Sequence, residues 1–190
     1  MGKTKDISIL AITLGVAGIL AIATSSTQAV QFADGTVAFD NSPRLINAVA
    51  TLIGVRVWGA KYYFTLKLPE NAGEPLQKLT ISQRKGEDDI RFRVEETFAF
   101  KGTHRNKGER LTLQTVSRDE ETGTISVIFD PPIPPGTTFS VGLRPRRNPY
   151  YGGVYLFGIT AFPAGEKSDG LYLGVGRLHF HEEFDLFPGR

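Results

Sequence analysis

Apolar and polar residues alternate with a period of two along most of the chain beyond residue 30. Tyr62, Phe64, Leu66 and Leu68 fall on one side and Tyr63, Thr65 and Lys67 on the other, before PENAGEP closes the run. Leu79 and Ile81 alternate with Lys78, Thr80 and Ser82, and Ile90, Phe92 and Val94 alternate with Arg91, Arg93 and Glu95. The same pattern returns at Leu111 and Leu113, at Ile125, Val127 and Phe129, and at Phe139, Val141 and Leu143. Successive side chains of a strand point to opposite faces, so each run predicts a strand with one face on a core. Residues 152–165, GGVYLFGITAFPAG, differ in being apolar on both faces between Gly and Pro borders. That stretch predicts a central strand buried from two sides, around which the others are arranged.

The punctuation between runs supplies the corners. Asp34-Gly35 between VQF and TVAF predicts a short hairpin, and RDEETG predicts a second tight turn. DPPIPPG carries four prolines that lack the N–H of a ladder, so it predicts a crossing from one sheet to another rather than a central strand. Asn41-Ser42-Pro43 opens either a single helical turn or an edge strand, and the LINAVATLIGV that follows favours extended chain. In the last run Leu171, Leu173 and Val175 share a face, but Leu178 and Phe180 continue the apolar row one residue out of step, which predicts a bulge at 174–177. The sum is an all-β chain: an antiparallel, immunoglobulin-like two-sheet sandwich of about eight or nine strands over residues 30–181, followed by an acidic and aromatic tail at 182–190. The lone Trp58 reads as core or lid.

The first 29 residues break this pattern. Lys3 and Lys5 precede an uncharged apolar run over residues 7–23, and TSSTQA ends with Thr27 and Ala29 at a small-residue spacing. This is the layout of a secretory signal peptide cleaved after Ala29. An uncleaved membrane anchor is the alternative, because the run of 17 residues sits at the short edge of a span. Export sharpens the meaning of a cysteine count of zero: the domain must stand in an oxidising compartment by packing alone, with no thiol chemistry and no Cys-ligated metal. The full chain has a formal charge of +2, and loss of Lys3, Lys5 and Asp6 with the leader leaves it near neutral. Neither nucleic acid nor, without an uncleaved anchor, a membrane is the partner that such a balance suggests.

Three blocks carry a likeness to a known family: YYFTLKLPENAGEPLQKLTISQ at 62–83, DPPIPPGTTFSVGLRPRRNP at 130–149 and GGVYLFGITAFPAGE at 152–166, with GRLHF at 176–180 closing the chain. Together they resemble a family of exported cyanobacterial proteins classified as domain of unknown function 2808. The resemblance implies a location outside the cytoplasm and supplies no catalytic residues; the compartments expected for such an exported chain are the periplasm or thylakoid lumen, with secretion as the alternative. PPGTTFSV separately resembles the Pro-Gly corner of periplasmic immunoglobulin-like modules.

Candidate chemistry is sparse. His179 and His181 in HFHEEFD project from one face of an extended chain and make a possible divalent-metal pair; the plain alternative is two surface histidines before an acidic tail. HEEFD misses the zinc-protease pattern because Asp185 stands where a second His is needed. Asp88 with Asp89, and Asp119 with Glu120 and Glu121, do not alternate as a calcium loop does and read as solvated turns. No G-x-S-x-G occurs and only three histidines are present, which speaks against a hydrolase; no cofactor is called for. The loop RPRRNPYYGG is the best surface candidate: Arg144, Arg146 and Arg147 offer guanidinium forks, and Tyr150 and Tyr151 offer flat faces. Such a loop suits an anionic glycan or the acidic surface of an envelope protein, unless the tyrosines merely pack under solvated arginines. The expectation is an exported, non-catalytic module with a binding or structural role in the cell envelope. A periplasmic metal-binding protein is the alternative, and a hydrolase of envelope polymers comes third.

Overall fold

The computed structural model describes residues 30–31 and 35–182. Twelve strands follow in chain order: β1 (Val30–Gln31), β2 (Val37–Ala38), β3 (Arg44–Ala50), β4 (Tyr62–Lys67), β5 (Leu76–Lys85), β6 (Phe98–Gly102), β7 (Lys107–Leu111), β8 (Leu113–Arg118), β9 (Ile125–Ile133), β10 (Thr138–Leu143), β11 (Gly153–Pro163) and β12 (Leu171–Phe180). One 3-10 turn, Val94–Glu96, is the helical content among the described residues, so no helix there is long and apolar enough to cross a membrane.

Ten strands form two five-stranded sheets, ordered β3-β4-β10-β6-β7 and β12-β11-β5-β9-β8, with β1 and β2 as a separate hairpin. Every pairing is antiparallel. The result is the expected antiparallel two-sheet sandwich, built from ten strands rather than eight or nine. The chain changes sheet five times, between β4 and β5, between β5 and β6, at Thr112 between β7 and β8, at 134–137 between β9 and β10, and between β10 and β11. At the opposite edge, β3 lies over β12. There the connection after β3 is tied to the end of β12 by Val55 N–H to the His181 carbonyl at 3.0 Å, and the β1–β2 hairpin is tied to the β11–β12 turn by Val37 N–H to the Lys167 carbonyl at 2.8 Å.

The alternating positions face inward as expected. Tyr62, Phe64 and Leu66 of β4 and Phe139, Val141 and Leu143 of β10 meet Leu79 and Ile81 of β5 and Tyr155, Phe157, Ile159 and Ala161 of β11, all buried. Edge-to-face ring pairs tie the sheets together, Phe64 with Phe157 at 5.6 Å and Phe129 with Phe139 at 5.7 Å, the arrangement that aromatic quadrupoles favour.

Several local expectations change. Stretch 152–165 becomes β11, flanked by β12 and β5, but only its Tyr155–Phe157–Ile159–Ala161 face is buried; Val154, Leu156 and Phe162 on the other face are half-buried. β4, like β10 beside it, is instead enclosed on both faces, since Tyr63 and Thr65 are as buried as Phe64, and Ser140 is as buried as Val141. Its outer face is roofed by the aromatic rings of Phe98 and Phe100, and Gly142 makes room for them: a Cβ there would stand 2.4 Å from Phe98 Cζ. The segment 90–94 is not a strand. Ile90 and Phe92 are buried, but a single bridge from Phe92 to Pro145 is its only ladder contact before the 3-10 turn. Strand β6, FAFKG, was not foreseen.

β9 runs on through Asp130, Pro131 and Pro132 to Ile133, which pairs with Leu76 across a register shift that leaves the prolines unpaired. The crossing itself falls at the second proline pair, as expected of DPPIPPG. The bulge of β12 sits at Leu173, skipped between the pairs Ile159–Gly174 and Thr160–Tyr172. That is one residue before the predicted span, beside Gly174 with its φ of 107°. The hairpin around Asp34-Gly35 appears as β1–β2, although Asp34 itself lies outside the described residues. So do the leader and most of the tail.

Candidate functional site

At one end of the sandwich three connections meet: 51–61 after β3, 86–93 after β5 and 144–152 before β11. Asn148 is the knot between them. Fully buried, it accepts a hydrogen bond from Tyr62 Oη at 2.9 Å and donates through Nδ2 to the carbonyls of Leu52 at 2.9 Å and Gly54 at 2.7 Å. Its own N–H reaches Val57 O at 2.8 Å, and Arg56 N–H reaches Pro149 O at 2.9 Å. Burial, with Tyr155 and Asp88 nearby, holds the Tyr62 phenol well above the ordinary tyrosine range, so it serves as a permanent donor.

Asp88 fastens the second connection. Its Oδ2 accepts from Tyr150 N–H at 3.0 Å and its Oδ1 from Tyr155 Oη at 2.5 Å. Gln83 closes the turn behind it, donating to Asp88 O at 2.7 Å and accepting from Ile90 N–H at 2.9 Å. Burial first, then Asp88, raise the Tyr155 phenol above its usual range. Asp88 is thus a structural anchor and not a solvated turn residue.

Between these connections lies a cleft of about 670 Å³ walled by Trp58, Arg91, Arg93, Arg146, Arg147 and Tyr150. Phe92 is buried in the core, and alternation therefore turns Arg91 and Arg93 outward. Backbone bonds from Arg93 N–H to Arg144 O at 2.9 Å and from Arg146 N–H to Arg91 O at 2.7 Å set the two arginine segments side by side. Trp58, 66% exposed, and Tyr150, 40% exposed, supply flat apolar faces. The Arg147 guanidinium lies 3.5 Å from the centre of the Tyr150 ring, a cation–π stack that holds the fork in place.

The predicted arginine loop is therefore divided. Arg146, Arg147 and Tyr150 line the cleft. Arg144 turns away to Glu96, which it meets at 3.0 Å while Arg93 meets the same carboxylate at 3.1 Å. Tyr151 is exposed beside the cleft, its carbonyl 3.1 Å from Tyr155 Oη. Arg91, Arg146 and Arg147 make no ion pair with any described carboxylate, although Asp88 and Asp89 line the same cleft, so cationic side chains outnumber the acids around it. Sequence reading missed the contribution of Trp58, Arg91 and Arg93, because nothing local says that residues 91–93 pair with 144–146.

His179 and His181 do come together: their rings are 4.3 Å apart and both residues are exposed at the end of β12. No group of three or more metal-ligating side chains occurs among the described residues. Of the two acidic turns, that at Asp119 is a local cap, with Oδ1 accepting from Glu121 N–H at 3.0 Å and Thr122 N–H at 2.8 Å.

No curated protein matches the chain. Among solved structures it is similar to the bacterial hydrophobin BslA, with 15% identity, a TM-score of 0.46, and coverage of 76% of this chain and 97% of that one. It is also similar to the C-terminal domain of the Streptococcus pyogenes antigen I/II-family protein AspA (14%, TM-score 0.41), covering 67% of this chain but 42% of that one. A third is the collagen-binding domain of a Staphylococcus aureus adhesin (13%, TM-score 0.34), with 64% and 87% covered. Likenesses at this level carry no functional inference. The sequence itself is decisive at the level of family: with residues 36–180 matched, the chain belongs to the family described as protein of unknown function (DUF2808).

Proposed function

We propose that the chain is an exported, non-catalytic binding module of the cell envelope, in the periplasm or thylakoid lumen, and that the cleft takes an anionic glycan. The observation that carries this is the grouping of Arg91, Arg146 and Arg147, none in an ion pair, with the exposed rings of Trp58 and Tyr150 around one concavity. Guanidinium forks receive a carboxylate or sulfate bidentately, and flat aromatic faces receive the ring of a sugar. The concave shape favours a sugar unit over a flat acidic protein surface. Two features favour binding over catalysis: no histidine lines the cleft, and of its two acids, Asp88 and Asp89, Asp88 has both carboxylate oxygens committed to hydrogen bonds, which leaves a single carboxylate rather than an acid–base pair. Export rests on the leader pattern of residues 1–29.

Calorimetric titration with digalacturonate and with a sulfated disaccharide, against maltose as the neutral control, tests the reading. Saturable binding of the anionic sugars, lost in Arg146→Gln/Arg147→Gln, is expected. Absence of binding, with an acidic envelope protein captured by the native chain but not by the double variant, moves the ligand from glycan to protein.

The 4.3 Å ring separation of His179 and His181 favours a second reading, a surface site for a divalent metal. Two imidazoles select copper most strongly among the common divalent ions. Titration with copper, zinc and nickel decides it, and unchanged affinity in His179→Ala/His181→Ala removes these residues as ligands.

A further inference from the structure

The two outer faces of the sandwich are built differently. On the first sheet Tyr63, Thr65, Phe100 and Ser140 point outward yet are buried, and His104 from the β6–β7 turn stacks on Tyr63 with ring centres 5.9 Å apart. The second sheet instead leaves Arg84, Lys85, Tyr172, Arg177 and Ser117 exposed on its outer face.

The register of that sheet aligns one hydroxyl on each of its five strands. Tyr172 pairs with Thr160, Thr160 with Thr80, Thr80 with Ser126, and Ser126 with Ser117. Thr160, Thr80 and Ser126 lie between core residues, and Ser117 and Tyr172 adjoin Val116 and Leu173, which pack against the core, so all five point outward. At the usual strand spacing of 4.7–4.9 Å the row runs about 19 Å straight across the sheet.

Cations border the row on both sides. On one side Lys78 Nζ lies 3.8 Å from the centre of the Phe162 ring. On the other, Lys85 and Arg177 both pair with Leu156 from its two flanks. Arg84 lies between these and the row, its guanidinium 6.0 Å from the Tyr172 ring centre. Gly158 is what permits this: a Cβ there would come within 2.7 Å of Arg84 Nε and 3.2 Å of Tyr172 Cε2. None of these four cations is in an ion pair with a described carboxylate, and Asp130 is the one acid on the five strands. A nearly neutral chain has thus gathered unpaired positive charge on one flat face.

We propose that this face binds an extended anionic polysaccharide, a sulfated or uronate chain lying across the strands along the hydroxyl row. The row offers donors and acceptors to sugar hydroxyls, the bordering cations offer partners to sulfate or carboxylate, and Tyr172 offers a ring face. A lipid surface fits less well, because the apolar side chains of this face are few: Val154, Leu156 and Phe162 are half-buried, and only Val175 and Tyr172 stand exposed, among the cations, less than an interfacial lipid site presents. The site shares no lining residue with the cleft and stands or falls independently of it.

Binding of the purified chain to immobilised dextran sulfate and polygalacturonate, with neutral dextran as control, tests the proposal. Both anionic polymers are retained and dextran is not. Lys78→Gln/Arg84→Gln/Lys85→Gln/Arg177→Gln lowers the affinity by about 10- to 100-fold, the worth of several exposed ion contacts. Thr80→Val/Thr160→Val, which keeps β-branched residues in the strands, also weakens binding. Measured in the Arg146→Gln/Arg147→Gln background, which removes the cleft's own share of anionic-sugar binding, the quadruple change still lowers the affinity by that factor, which separates this face from the cleft. Equal retention of dextran, or an unchanged affinity in the quadruple variant with a native unfolding curve, overturns the proposal. So does binding to phosphatidylglycerol vesicles that the quadruple variant abolishes while polymer binding persists. Should the quadruple variant fail to fold, Arg84→Gln/Arg177→Gln at two exposed positions carries the same test with a smaller loss, and no loss there refutes it.

Discussion

Replacing Asn148 by Ala removes the knot at the end of the sandwich, and its cost can be worked from the hydrogen bonds. Three are lost: one from Tyr62 Oη and two to the carbonyls of Leu52 and Gly54. The Tyr62 hydroxyl is fully buried, and a stranded buried donor costs roughly 1–3 kcal/mol. The carbonyls belong to less buried residues and regain water more readily, adding about 0.5–1 kcal/mol each. The sum is about 3 kcal/mol, which lowers Tm by about 6–12 °C in a domain of this size.

Urea unfolding followed by circular dichroism measures the loss at constant m. A double-mutant cycle sharpens it. Tyr62→Phe in the Asn148→Ala background removes the stranded hydroxyl, so the double variant costs about 1 kcal/mol less than the two single changes summed. A loss below about 1 kcal/mol for Asn148→Ala, or strict additivity in the cycle, refutes the reasoning.

Other outcomes follow from the same geometry. Gly142→Val drives side-chain atoms into the Phe98 ring and costs about 1–3 kcal/mol in the same unfolding assay. Tyr62 and Tyr155 hold their protons above the ordinary range when folded, whereas unfolded phenols ionise near pH 10. Their contribution is therefore complete below about pH 10 and is lost as pH rises toward the folded values. Tyr62→Phe/Tyr155→Phe flattens this alkaline decline in unfolding free energy, and an unchanged slope contradicts the assignment. Asp119 is held below the usual aspartate range by its bonds to Thr122 and Glu121, so its turn persists above that range and loosens as pH falls through the folded value. The amide shifts of Glu121 and Thr122 should titrate together with a midpoint below about 3.9, the ordinary aspartate value.

Much of the architecture could be read from single residues. The alternation at β4, β5, β9 and β10, the Asp119 turn and the proline corner are local signals, because strand periodicity and missing N–H groups act within a few residues. What failed was whatever depends on a distant partner. Ile90, Phe92 and Val94 alternate like a strand, but the neighbour they needed was the loop at Pro145, which offers one bridge. β4 looked half-solvated because the rings that roof it come from β6, a strand whose FAFKG is too short to announce itself.

The site divided along the same line. Arg146, Arg147 and Tyr150 stood together in sequence and stayed together in space. Arg91 and Trp58 joined them only through backbone pairing and the Asn148 knot. The hydroxyl row is the clearest case: Ser117, Thr160 and Tyr172 are unremarkable one by one, and only the register of five strands makes them a line.

The central claim is that the cleft at Trp58 receives an anionic sugar, and the chain carries its own reporter, since Trp58 is its single tryptophan. Its fluorescence, recorded during titration with digalacturonate and with maltose, addresses the claim without a label. A saturable change with the anionic sugar only, abolished in Arg146→Gln/Arg147→Gln, is the result this account predicts. An unchanged spectrum, or a change of equal size with maltose or in the double variant, contradicts it.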